Sequence, residues 1–115
     1  MYPVKLAIVR HATEEYLNKK FSGDNFDLDG YDALTVGVVS EKNSDDTIVV
    51  IAFTEDVEKA SLQKKINVIS HESHHFASHV LNWIGTRHCK DSEESYAYLT
   101  GWCAEQCATV IFGKK

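Results

Sequence analysis

Between Leu62 and Ile84 the apolar residues recur at the spacing of a single helix face. Stepping about 100° per residue from His71, positions Leu62, Ile66, Ile69, Phe76, Val80 and Ile84 fall within roughly 40° of the opposite side. Ser73 and Ala77 fill the same stripe with small side chains. The pattern predicts one long helix that begins between Asp56 and Ser61 and ends near Gly85, a good residue for a helix C-terminus. In a chain of 115 residues, the size of one domain, the rest is organised around that rod.

The polar side of the rod carries His71-Glu72-Ser73-His74-His75, an H-E-x-x-H string. Residues four apart lie about 40° from one another around a helix, so His71 and His75 can reach one metal ion without bending the backbone. Glu72 is rotated about 100° from His71, beside such an ion rather than bound to it. Two imidazoles and a nearby carboxylate suit zinc, with Glu72 ready to take a proton from water. The competing readings are histidines satisfied in a core, expected on the apolar arc instead, and a solvated face that happens to be His-rich.

The rest of the chain reads as a small sheet and a few helices. Val4 to Val9 is a short β-rich run, with a helix starting at Pro3 as the alternative. Thr13 has the position of an N-cap, and Glu14 and Glu15 favour the first turn of a helix to about Phe21 that would bury Tyr16, Leu17 and Phe21. Ser22 to Asn25 ends it. Asp27-Leu28-Asp29-Gly30 lacks the later ligands of a calcium loop and reads as a turn. Leu34 to Val39 alternates, and Thr47 to Phe53 is nearly continuous in apolar residues, as in a strand buried on both faces. The two form a hairpin across the polar residues 40–46. Thr86 to Ser92 is a loop, and a last helix runs from about Glu93 to Ile111, capped by Ser92 or Asp91. The fold class is α+β: a small, mostly antiparallel sheet packed on the His-bearing helix and on a second long C-terminal helix, in one domain over residues 1–115.

A zinc site needs a third donor if it is to keep one position open. Candidates after His75 are His79, His88, Glu93, Glu94 and the cysteines. Ala97, Gly101, Ala104 and Ala108 share a flank with Glu94 on the last helix, a seam of small residues along which two helices could approach closely. Glu93 is rotated about 100° off that seam. Glu94 is therefore the favoured third ligand, against a capping role in the helix's first turn. His79 cannot readily join His71 and His75 at one tetrahedral centre and reads as a neighbour of the ligands or a wall of the cleft. His74 points to the other side, toward solvent. Cys103 and Cys107 could hold a structural zinc with His88 and Cys89, but they fall on the apolar face with Tyr96, Leu99 and Val110, where core packing is the simpler role.

A helix with H-E-x-x-H followed by a helix with a glutamate resembles the gluzincin branch of the zincin metallopeptidases. The extended metzincin motif needs a glycine soon after the second histidine, and Phe76-Ala77-Ser78-His79-Val80-Leu81-Asn82 has none. Glu93-Glu94-Ser95-Tyr96-Ala97-Tyr98-Leu99-Thr100-Gly101-Trp102 is similar to the Y-A-Y-L-x-G-W-like helix of minimal zincin-like proteins, many of them phage-encoded. The resemblance implies a minimal zincin-like fold, one Zn²⁺ per chain on His71, His75 and Glu94, Glu72 as catalytic carboxylate, and a peptide or protein substrate. Larger relatives supply a further His or Tyr as electrophile, for which His79, Tyr98 and His88 are the candidates here. The alternative is a zincin-fold binding protein, viral in origin, whose zinc is structural.

Composition narrows the partners. Hydrophobic residues at 43% and charged residues at 25% suit an ordinary soluble domain. A net charge of -5 argues against a non-specific nucleic-acid binder. No stretch approaches a membrane span, and the Leu6–Val9 run is too short for a signal peptide. Three cysteines, an odd count, read as reduced thiols in a cytoplasm, the host's if the chain is phage-encoded.

Overall fold

The computed structural model describes residues 4–21, 28, 32–39, 47–83 and 92–113. In chain order these form β1 (Val4–Val9), α1 (Glu14–Lys20), β2 (Ala33–Val39), β3 (Thr47–Phe53), α2 (Glu55–Glu58), α3 (Leu62–Trp83) and α4 (Glu93–Phe112). The expected strand, helix, two strands and two long helices are present, with the single turn of α2 added. Ser22–Asn25, residues 29–30, the 40–46 turn, Ile84, Gly85, Thr86–Asp91, His88 and Cys89 lie outside the described residues.

The sheet has the order β1-β3-β2. β2 and β3 pair antiparallel from Ala33↔Phe53 to Val39↔Thr47, as the hairpin reading expects. β1 pairs parallel to β3, Val4 opposite Thr47 and Val9 opposite Ala52, so the sheet is mixed rather than mostly antiparallel. The alternation that marks a strand does not carry its direction.

Strand periodicity divides the core in two. Val49, Ile51 and Phe53 of β3 face α3 and α4, with Val4, Leu6 and Ile8 of β1 packed against the same cluster. Val50 and Ala52 face the other way and are covered by Leu17 of α1. All five of these central-strand residues are buried, which accounts for the continuous apolar run. Thr13 caps α1 by accepting from the Tyr16 amide. Within that helix Leu17 is buried, but Tyr16 is 49% exposed, because the helix presents one narrow stripe to the sheet. His11 takes the left-handed conformation (φ 50°) at the turn out of β1. Beside it the Arg10 guanidinium grips the Glu58 carboxylate through Nη2 at 2.6 Å and Nε at 3.2 Å.

Ser61 starts α3, its hydroxyl accepting from the Lys64 amide at 3.1 Å and its carbonyl from Lys65 at 3.0 Å. Ile69, Phe76, Ala77 and Val80 are buried as the apolar stripe predicts. Leu62 and Ile66 are not: they stand 59% and 52% exposed, because the first two turns run past the core, whose first members on α3 are Val68 and Ile69.

The last helix buries the apolar face expected of it, but the seam of small residues does not serve as a close contact along its first half. Its buried face is Tyr96, Leu99, Cys103, Cys107 and Ile111. Ala97 and Gly101, on the supposed close-packing seam, are exposed, and a Cβ placed on Gly101 would meet no atom within 4 Å. Larger side chains make the contact with α3, including Trp102 against Phe76 with ring centroids 5.8 Å apart.

Candidate metal centre

His71 and His75 sit one turn apart on the exposed side of α3, and their Nε2 atoms approach to 3.1 Å. The rings meet edge to face, centroids 4.7 Å apart and planes at 76°. Two imidazole nitrogens bound to one tetrahedral zinc at about 2.0–2.1 Å would stand about 3.3 Å apart. The pair, in hydrogen-bond contact here, therefore has about the spacing of a two-point chelate on an undistorted helix and supplies two of the three donors that the sequence pattern implies.

Glu72 points elsewhere. Its residue is only 6% exposed, turned between α3 and the sheet. A carboxylate there needs a donor, and the hydroxyl of Thr35 on β2 supplies one at 2.5 Å to Oε1. Helix and strand can meet this closely because alternate β2 positions are Ala33, Thr35 and Gly37, all small. Glu72 and His71 line one depression of about 200 Å³ together with Asp32, Ala33, Lys64, Asn67 and Val68. Lys64 and Asp32 form an ion pair at 3.5 Å there.

A second depression, about 290 Å³, lies toward the C-terminal half of α3, lined by His75, Ser78, His79, Asn82 and Tyr96. His79 leans on the strand: a Cβ at Gly37 would lie 3.4 Å from its Nδ1. His79 is exposed at its surface, yet partial desolvation against the strand, and then the neighbouring charge of His75, lower its pKa below the ordinary value, which favours the neutral ring. This is the cleft-wall position expected for His79. His74 is exposed, its ring tilted toward Tyr96 at 6.5 Å between centroids.

The remaining expectations fare unevenly. Glu94 is exposed. It lies nine residues before Cys103 and thus about 180° from the centre of the buried face. Among the described residues no three or more His, Cys, Asp or Glu side chains gather as a metal-holding group. The structure thus brings His71 and His75 together and does not bring Glu94 to them. The first half of the seam that favoured Glu94, Ala97 and Gly101, is exposed, while Ala104 packs against the core; Glu93, also exposed, lies about 60° from the buried Tyr96. Tyr98 is 58% exposed on the outer face of α4. Tyr96, two residues earlier, is the tyrosine that reaches the cleft. Its signal was in the sequence, since it shares a face with Leu99 and Cys103. His88 lies outside the described residues.

Cys103 and Cys107 are wholly buried with their sulfurs 4.0 Å apart, in the core-packing role. The adjoining Cys103 sulfur, reinforced by burial, pushes the Cys107 thiol up, so it stays protonated. Among the described residues no helix is long and apolar enough to cross a membrane. No family model matches the chain, and neither a curated protein nor a solved structure matches it.

Proposed function

We propose that this chain is a minimal zincin-like metallopeptidase of the gluzincin type, hydrolysing a peptide or protein substrate. One observation carries the reading: the His71 and His75 nitrogens stand at chelating distance while Glu72 opens onto the same depression as His71. His71 and His75 would hold a Zn²⁺, with Glu94 as the third donor that the family resemblance implies. A bound zinc supplies Lewis acidity, polarising a carbonyl and acidifying water. Glu72 takes the proton from the attacking water and delivers it to the leaving amine. Its burial and the Thr35 hydrogen bond hold that carboxylate in one place. β2 has β3 as its one neighbour among the described strands, so its other edge can accept an extended peptide by main-chain hydrogen bonds. His79 and Tyr96, which line the second depression with His75, are the candidates to contact the substrate carbonyl. The net charge of -5 does not favour a nucleic-acid partner, and the thiols suit a reducing cytoplasm, the host's for a phage product.

A second reading has its own support. Among the described residues Glu94 does not gather with His71 and His75 as a three-donor group, which fits a binding protein without turnover. Zinc-loaded protein incubated with an unstructured substrate such as casein separates the two. Hydrolysis by wild type that vanishes in Glu72→Gln supports the enzyme, and zinc bound without hydrolysis supports the binding protein.

A further inference from the structure

We infer that Thr35, on the edge strand, is the positioning residue for Glu72. What Glu72 does catalytically rests on the hydrolase reading above; where it is held rests on geometry alone. The helix-facing positions of β2 are Ala33, Thr35 and Gly37, and Thr35 alone of these bears a polar side chain. Its single hydroxyl proton has two acceptors in range, Oε1 of Glu72 at 2.5 Å and the Glu72 carbonyl at 3.5 Å. The nearer, charged acceptor takes it. The bond joins residues 37 apart in sequence and ties the carboxylate to the sheet rather than to its own helix.

Three features make this a positioning contact. Glutamate has several rotatable bonds and is not fixed by its backbone alone. Threonine is stiff about χ1, so its hydroxyl is a rigid donor. A donor on one carboxylate oxygen leaves the second oxygen uncommitted to Thr35, in a residue that lines the depression shared with His71. The histidines lie on the exposed side of α3 and take no part in the bond, so Thr35 sets the carboxylate without setting the chelate.

The test compares Thr35→Val, which keeps the shape and removes the donor, with Thr35→Ser, which keeps the donor. In metal-free protein, three-bond NMR couplings report whether Glu72 occupies one χ1 rotamer. One rotamer is expected in wild type and Thr35→Ser, and rotamer averaging in Thr35→Val. Zinc affinity is expected to stay within about threefold in both, since neither touches a histidine. With casein as substrate, Thr35→Val is expected to lose about 10- to 100-fold in kcat with KM little changed, and Thr35→Ser to recover most of it. Should Thr35→Val fail to fold, Thr35→Ala takes its place with the same expectations. A single unchanged Glu72 rotamer in the donor-less variant overturns the inference, whatever the catalysis. Averaging in that variant, in a protein that never hydrolyses casein when zinc-loaded, upholds the positioning and overturns the hydrolase reading instead.

Discussion

His71 and Glu72 are neighbours in sequence, yet His71 is exposed and Glu72 is 6% exposed against the sheet. One step of a helix puts the imidazole on the solvent side and the carboxylate on the packed side. Both still open onto one depression.

The metal itself is the first test. Wild-type protein purified without a histidine tag is expected to carry one zinc per chain by elemental analysis, and His71→Ala and His75→Ala to carry none. Glu94→Ala is expected to weaken zinc binding by at least the roughly 10- to 100-fold seen when a ligand's supporting hydrogen bond is lost, with Glu93→Ala near wild type. The reverse order would move the third donor to Glu93, beside Tyr96.

Glu72→Gln should retain zinc and keep its stability within about 1 kcal/mol, because an amide oxygen can still accept from Thr35 and no buried charge is left unpaired. Hydrolysis should fall by about 10²–10⁴-fold, the usual contribution of a general base. Thermal melts and casein turnover on the same samples check both. Full activity in this variant would remove Glu72 from the mechanism.

The environment of His79 predicts a pH effect on stability. Its folded pKa is lowered by partial desolvation and by His75, whereas the unfolded value is about 6.5. Between the folded and unfolded values the unfolded chain binds more protons, so stability rises with pH through that window and is lower beneath it. Metal-free His79→Gln should therefore lose less stability than wild type as pH falls below about 6.5, read from melting temperatures across the range.

Glu58 titrates with the opposite sign. The Arg10 hydrogen bond holds its carboxyl below the usual range, so its contribution is present above the unfolded pKa of about 4.3 and is lost as pH falls through the lower folded value. Glu58→Gln should be less stable than wild type at neutral pH, with the difference shrinking in strong acid. Equal acid profiles would mean that the ion pair adds nothing.

Leu17 anchors α1 to the back of the sheet and is 0% exposed. Leu17→Ala should cost about 2–5 kcal/mol, the range for buried leucine truncation, whereas Tyr16→Ala should cost little. Denaturant midpoints distinguish them.

Much of this was readable from residue order. Thr13 caps where a threonine before two glutamates should, and the apolar run to Phe53 is the buried central strand. The His71–His75 pairing follows from helix geometry alone. What was hidden depends on other elements. An apolar stripe gives the direction of a helix's core face but not where the core stops, so Leu62 and Ile66 looked buried. Small residues mark a close approach only if something approaches, and at Gly101 nothing does. The parallel partner of β1 and the donor at Thr35 are contacts across the chain, and no local spacing encodes either.

His71, His75 and Glu72 all belong to α3, while the hydrogen bond to Glu72 reaches out from β2. A small slide of α3 along the strand would carry the whole H-E-x-x-H turn as a rigid block. The His71–His75 spacing would survive that slide and the Thr35–Glu72 bond would not. On the hydrolase reading, wear on this protein, by heat or by mutation at the helix–strand seam, is then expected to silence it before it loses the capacity to hold an ion.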